Sequence, residues 1–545
     1  MTDRIRAALE RVAADLGAPG AEFVLERPRD AGHGDLATNL AMVLARPLRQ
    51  NPRRLAQQVV DGLGLPAEVI ARTEIAGPGF INFWLAVDQL DAQLQAVLAA
   101  GPGYGRHDRG QGRRVNVEFV SANPTGPLHV GHGRGAALGD AVATLLEWTG
   151  HEVVREFYIN DAGVQVDKLA LSLWARVREA AGHAGQVPEG GYHGLYLQEM
   201  ARDLLAREGT GFAALPEAEG VDRCRAFALD AMRREQDDDL RAFGVTFAVH
   251  TSELALYAAG RVDHGLEVLA ARGLTYESEG ALWLRSSEFG DDKDRVLRKQ
   301  DGSFTYLVPD IAYHIEKHER GFAHAIDVWG ADHHGYVPRM RAVLRALGYP
   351  DAFFHVKIVQ LVKVVRGGEE VRMSKRSGEF VTLRDLFEEV GVDAARYFFL
   401  MRRGESGLVF DVDLAKSQTE ENPVFYVQMA HARMSGIFRV AGRDPATVAG
   451  TVTPEALPAP EDRELLKQVA AFPAVTLRAA EEREPHRITG YLEELARVAH
   501  GWYHKCRVLG EPPEVEHGRL LLARATRQVL ANGLTLLGCS APDRM

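Results

Sequence analysis

The stretch Asn116-Val-Glu-Phe-Val-Ser-Ala-Asn-Pro-Thr-Gly-Pro-Leu-His-Val-Gly-His132 changes character twice. Val115 to Val120 is an apolar, β-branched run and reads as a buried strand. The next residues are rich in Ser, Asn, Pro, Thr and Gly, which favour turns over regular structure. After His129 the apolar residues recur at helical spacing, through Ala137, Leu138, Ala141, Val142, Leu145 and Leu146. A strand, a glycine-containing loop and a first helical turn bring free backbone N–H groups and the positive end of a helix dipole to one place. That place suits an anion. Two histidines one turn apart, His129 and His132, with Gly131 between them, suggest a phosphate.

The surrounding pattern supports a nucleotide-binding fold. Strands are expected at 115–120, 152–158, 325–330 and 353–358, with helices after the first three. This alternation predicts an α/β, doubly wound parallel sheet of the Rossmann-like kind. The segment from about 160 to 295 is too long for one crossover. It predicts helices near 162–181, 195–208, 217–243 and 255–272, then a hairpin of Leu274–Glu277 with Ala281–Arg285. It reads as an insertion between two halves of the catalytic domain, with a separate helical domain as the other reading.

Residues 1–110 read as a small α+β domain. Helices are expected over Arg4–Leu16, Gly34–Arg46 and Arg54–Val60, the last with Asn51 as cap and Pro52 in its first turn. Strands are expected at Thr73–Ala76 and Phe80–Leu85. Residues 111–403 read as the nucleotide-binding domain that carries the insertion. Residues 404–545 form an all-α bundle, with helices at 422–441, 461–482, 486–508 and 517–537.

Composition narrows the function classes. The net charge of −11 argues against a general nucleic-acid binder, yet leaves room for one shaped RNA held by local basic patches. No apolar run approaches the roughly 18–20 residues of a membrane span, and the N-terminus lacks a signal-peptide pattern. The three cysteines, Cys224, Cys506 and Cys539, form no CxxC pair. Neither a disulfide framework nor a cysteine zinc site is expected, and the cytoplasm is the expected location. Asp332-His333-His334-Gly335 follows a strand. One such pair with no third ligand reads as the lining of a nucleotide crevice, and no zinc or other protein-bound metal is expected.

A second informative stretch runs from Val371 to Asp385. Thr382-Leu-Arg-Asp385 has the form of a capping box, so Arg372, Lys375 and Arg376 fall on a loop before a helix. A basic loop can neutralise the charge that develops on phosphates in a transition state.

Either stretch alone is weak. Together, His129-Val-Gly-His132 and Arg372-Met-Ser-Lys-Arg376 resemble the HIGH and KMSKS signatures of the class I aminoacyl-tRNA synthetases, in that family's order. The second departs from the pattern at both ends, with Arg372 and Arg376, but keeps Lys375. The resemblance narrows to the arginyl-tRNA synthetase family. It rests on Glu118 to His132, Phe157-Tyr-Ile-Asn-Asp-Ala-Gly163, Tyr306-Leu-Val-Pro-Asp-Ile-Ala-Tyr313, Trp329-Gly-Ala-Asp-His-His-Gly-Tyr336, Asn422 to Arg433 and the closing Ala541-Pro-Asp-Arg-Met545.

The resemblance implies an enzyme that ligates L-arginine to its tRNA with ATP. An arginyl-adenylate would form and pyrophosphate leave, then the tRNA would take the arginyl group and AMP leave. ATP is expected as substrate, with Mg2+ accompanying it. The implied ATP contacts are His129, Gly131, His132, Asp332, His333, Met373, Ser374 and Lys375. Catalysis would come from positioning, and from charge neutralisation by His129, His132 and Lys375. A guanidinium needs carboxylates placed for paired hydrogen bonds. Tyr306 and Asp310 would hold it, with Glu253 a further candidate. Glu118, Asn123 and His129 would lie near the reacting carboxylate and α-ammonium. Residues 1–110 would contact tRNA and residues 404–545 the anticodon, in a monomer with no membrane partner. A different class I synthetase, a nucleotidyltransferase with another acceptor, and a non-catalytic RNA-binding relative are the alternatives.

Overall fold

The computed structural model describes residues 2–26, 28, 33–67, 69–85, 89–371 and 381–545. The chain divides into two compact units. One comprises Met1–Pro102, Arg433–Ala470 and Val498–Gln528, the other Gly103–Ala432, Ala471–Arg497 and Val529–Met545.

The larger unit is built on a five-stranded parallel sheet. Its strands are β1 (Arg114–Glu118), β2 (Glu152–Ile159), β3 (Val249–Ser252), β4 (His324–Gly330) and β5 (Phe354–Val359). Their order is β5-β4-β1-β2-β3, and every pairing is parallel. This is the doubly wound arrangement. The chain order reverses between β1 and β4, so a crevice opens beyond the carboxyl ends of those two strands.

Two details differ from the sequence expectation. β1 stops at Glu118 because Val120 and Ser121 take the left-handed conformation, with φ of 68° and 40°. A β-branched residue there is strained, which fixes the chain's exit from the sheet. The long 160–295 segment also returns to the sheet once, as β3. Before β3 come helices Val164–Ala180, Leu195–Glu208 and Glu217–Ala242. After it come Glu253–Ala258 and Arg261–Ala271, parted at Gly260, and three antiparallel strands, Thr275–Ser278, Ala281–Leu284 and Arg295–Arg298.

The helix Val130–Trp148 carries the chain from β1 to β2 and lies tightly on the strand end. A Cβ on Gly139 would stand 2.2 Å from the Phe119 ring, whereas one on Gly135 meets nothing within 4 Å. Gly139→Ala is therefore expected to destabilise by about 1–3 kcal/mol through overpacking. Gly135→Ala should stabilise by about 0.5–1 kcal/mol through helix propensity. Thermal unfolding of the two variants checks this, and shifts of the same sign would refute it.

In the smaller unit a four-stranded antiparallel sheet takes the order Leu25–Glu26, Leu36–Thr38, Phe80–Leu85, Ile70–Ala76. The helix expected from Gly34 starts later, at Leu40, because Leu36–Thr38 pairs with Phe80–Leu85 instead. Asn51 caps the next helix as expected, its side chain accepting from the Arg53 and Arg54 amides at 2.9 and 3.4 Å. The C-terminal helices are Pro423–Ala441, Pro460–Ala470, Phe472–Glu482, His486–Lys505 and Pro513–Leu536. The helix expected over 461–482 breaks at Ala471, where Pro473 opens a new first turn. No described helix is long and apolar enough to cross a membrane.

Candidate active site

His129 is the cap of helix Val130–Trp148. Its Nδ1 accepts from the amides of Gly131 and His132 at 3.0 and 3.2 Å. The Nδ1 of His132 accepts in turn from the His129 amide at 3.3 Å. This is a capping box built from imidazoles. The two rings stack with centroids 3.7 Å apart. Burial lowers the pKa of His129, and burial with the neighbouring His129 takes His132 down to about 3. Burial therefore favours the neutral form of both rings in the empty site. Because each Nδ1 accepts, each neutral ring carries its proton on Nε2. The pair supplies hydrogen-bond donors rather than cations.

The segment that follows the second signature is stitched to the first. Leu383 N donates to Leu128 O at 2.7 Å and Val130 N to Val381 O at 3.2 Å, so His129 and Thr382 form an antiparallel bridge. Thr382 then caps helix Leu383–Val390, accepting from the Asp385 amide at 3.0 Å. On the other side, Val371 N bonds Val364 O at 2.8 Å. Arg372, Met373, Ser374, Lys375 and Arg376 lie outside the described residues.

At the end of β1, Glu118 is buried and both its oxygens are engaged. Lys317 Nζ donates to Oε2 at 2.6 Å and Ser121 Oγ to Oε1 at 2.9 Å. Lys317 also donates to Asp327 Oδ1 at 2.9 Å, and Asp327 faces Glu118 across the β1–β4 pairing. His314 Nε2 meets Asp327 Oδ2 at 3.0 Å. Burial raises the Glu118 carboxyl above its ordinary value, with Lys317 opposing, while Lys317 and His314 hold Asp327 down at about 2. The Asn123 amide donates to Gln165 Oε1 at 2.6 Å, away from Glu118.

A second acidic group lies on helix Leu307–Glu319 and on helix Glu253–Ala258. Asp310 Oδ2 accepts from the Tyr336 hydroxyl at 2.6 Å, and Glu253 Oε2 from the Tyr158 hydroxyl at 3.1 Å. The Tyr158 ring packs on Tyr313 at 4.8 Å. Burial raises both carboxyls, and the charge of Asp310 further raises Glu253. Neither is ion-paired to a described residue. Tyr306, expected beside Asp310, is 81 % exposed at the start of its helix.

Asp332 and His333 sit after β4, in the short turn Ala331–Tyr336, where the crevice was expected. Both side chains are open to solvent, with His333 Nε2 3.5 Å from Asp332 Oδ2. No group of three or more potential ligands that could hold a metal occurs among the described residues. The structure adds Lys317, Asp327, Tyr158 and Tyr336 to the residues found from sequence. Tyr158 and Tyr336 stood inside stretches already singled out. Lys317 could have been found as the seventh residue after Asp310, on the same helical face.

Known proteins match the chain along its length. The family described as "tRNA synthetases class I (R), catalytic domain" matches residues 93–413. "Arginyl tRNA synthetase N terminal domain" matches 1–85 and "DALR anticodon binding domain" matches 427–545. The chain is similar to an arginine–tRNA ligase of Bordetella pertussis, 51% identical over 98% of this chain and 97% of that one. It is 48% identical to one of Geobacter metallireducens over 100% of both. The solved arginyl-tRNA synthetase of Thermus thermophilus superposes with a TM-score of 0.78 at 25% identity, covering 99% of this chain and 100% of that one. The chain belongs to the arginyl-tRNA synthetase family.

Proposed function

We propose that the crevice beyond β1 and β4 binds arginine and ATP side by side, and that the enzyme charges its tRNA with arginine there. The observation that carries this reading is the pair of acids, half-buried Asp310 and buried Glu253, neither ion-paired to a described residue and each accepting from a tyrosine hydroxyl. A guanidinium satisfies both carboxylates with charge-assisted hydrogen bonds. Asp310 lies on the helix whose other end reaches Glu118, so the α-ammonium falls toward Glu118 and Asn123. The arginine carboxylate is left toward His129.

The carboxylate oxygen attacks the α-phosphorus of ATP, a bond to phosphorus forms, and pyrophosphate departs with the bond it held. His129 and His132 donate from Nε2 to phosphate oxygens, and the amides of the first helical turn face the same charge. Asp332 and His333 line the nucleotide side, with Met373, Ser374 and Lys375 over the phosphates. Lys375 supplies the positive charge that the histidines do not. Mg2+ enters with ATP as part of the substrate. The 3′-terminal ribose of tRNA then takes the arginyl group and AMP leaves. Residues 1–110 add tRNA contacts, 111–403 carry the chemistry and 404–545 bind the anticodon. The enzyme acts as a monomer in the cytoplasm, which the buried free thiols of Cys224, Cys506 and Cys539 suit.

ATP–pyrophosphate exchange with arginine, glutamine, glutamate, cysteine and lysine, each with and without tRNA, tests the reading. Exchange driven by any amino acid but arginine would overturn it. Lys375→Ala is expected to slow activation by about 10²–10³-fold while tRNA affinity, measured by filter binding, stays unchanged. Equal loss of both would remove the role given to Lys375.

A further inference from the structure

Helix Leu307–Glu319 turns one stripe of residues toward the crevice. Asp310, His314 and Lys317 stand at i, i+4 and i+7, on one face. Asp310 reaches Tyr336, His314 reaches Asp327, and Lys317 reaches both Asp327 and Glu118. Lys317 is fully buried, and its two acid partners are nearly so. A charge placed this deep is unfavourable unless it is paired. Nothing in the adenylation chemistry needs an ammonium there. What it does is hold the end of β1, where Val120 and Ser121 leave the strand in strained conformations.

We propose that Lys317 is a positioning residue of the reaction: it keeps the Glu118 carboxylate ionised and aimed at the α-ammonium of arginine, and joins that contact to Asp310 through one rigid helix. The proposal rests on the reading of Glu118 as the α-ammonium contact. Beside the Ser121 hydroxyl, which donates to it, the titratable groups that bear on Glu118 come from three elements. Lys317, His314 and Tyr313 come from the helix, Asp327 from β4, and Tyr158 from β2. Glu156 of β2, the next acid, is already held by two bonds from Arg320 at 2.9 and 2.8 Å. Lys317 is thus the cation that donates directly to Glu118, at 2.6 Å. Without it, Glu118 would be a buried acid facing Asp327, and its carboxyl would keep its proton to higher pH.

Lys317→Met tests this by exchange kinetics run with tRNA present. At pH 6.5 the KM for arginine is expected to rise about 100-fold, with the KM for ATP unchanged. The sign follows from the raised carboxyl: arginine binding is lost at low pH and recovers as pH rises. The defect should shrink by about tenfold per pH unit toward pH 8.5. Lys317→Arg should restore most of the wild-type profile. A loss that is independent of pH, or one that falls equally on ATP, would overturn the proposal, because either is what mere structural damage gives. If the single variant fails to fold, the double variant Lys317→Met with Asp327→Asn removes one charge of each sign and should show a pH-dependent defect of the same direction but smaller, because the Asp327 charge that also raises Glu118 is gone. Wild-type arginine KM in the folded double variant also overturns the proposal. Glu118→Gln separates the two readings. If it leaves the arginine KM unchanged, the assignment of Glu118 fails. If it raises that KM while Lys317→Met does not, the inference about Lys317 fails alone.

Discussion

Asp310→Asn is expected to raise the KM for arginine by about 10²–10³-fold, which corresponds to the roughly 3–4 kcal/mol lost when one side of a buried charge pair is removed. The asparagine keeps the shape of the side chain and can still accept from the Tyr336 hydroxyl, now 2.6 Å from Asp310 Oδ2. What it cannot do is oppose a guanidinium with a full charge, and its amide hydrogens would face that cation's own donors. The free variant should be at least as stable as the wild type. Burial raises the Asp310 carboxyl, so ionised Asp310 is a cost in the empty protein that substrate repays. Glu253→Gln should act in the same direction but less strongly, since Glu253 keeps its Tyr158 bond and lies on a separate short helix. The checks are arginine KM by exchange and midpoint temperature by calorimetry. A variant with unchanged arginine KM would remove Asp310 from the pocket. One with lower stability and unchanged KM would make it a structural acid.

His129→Asn is expected to slow adenylate formation by about 10²–10³-fold, the usual cost of removing a donor aimed at developing charge. Its stability should change little, because asparagine is among the best helix caps and can accept from the same two amides. His129→Ala should lose both, with a further penalty of about 1–2 kcal/mol for the missing cap. The comparison separates the two jobs of one imidazole. Wild-type exchange rates in His129→Asn would show that the ring serves the helix alone. The histidines also bear on acid stability. Burial lowers His129 and takes His132 from 6.5 down to about 3. A group lowered on folding contributes stability above its unfolded value and loses it as pH falls toward its folded one. Acidification below pH 6.5 should therefore loosen this end of the helix, and His132→Asn should flatten that part of the stability curve. Hydrogen exchange at the Gly131 and Gly133 amides would report it.

The residues that were legible in the sequence are those whose role is written locally. β1, β2, β4 and β5 are apolar runs bounded by turn residues, and all four fall within about two residues of their expected positions. The capping form of Thr382-Leu-Arg-Asp385 likewise predicted its helix. β3 was missed because Val249–Ser252 is short and only half-buried, with no alternation to reveal it. Lys317 was missed because a lysine on an amphipathic helix reads as solvated. Its partners, Glu118 and Asp327, are brought to it only by the pairing of β1 with β4. The neutrality of His129 and His132 depends on burial and on ring stacking, neither of which a spacing can show. The exit at Val120 was read as strand because valine favours strands, and tertiary structure overrides that preference here.

The bridge between His129 and Thr382 has a consequence for how the enzyme comes to life. It closes a loop of about 250 residues, an entropic cost that is met only once many other contacts hold the ends near each other. The parallel sheet lies inside that loop, as do the helices that precede and follow β3. The bridge is therefore expected to depend on the sheet being in place, and pulsed hydrogen exchange at the Val130 and Leu383 amides would check it. Until then the imidazole cap lacks the backbone bonds that Val381 and Leu383 make beside it. A nascent or partly folded chain can own every residue of the pocket and still leave ATP untouched.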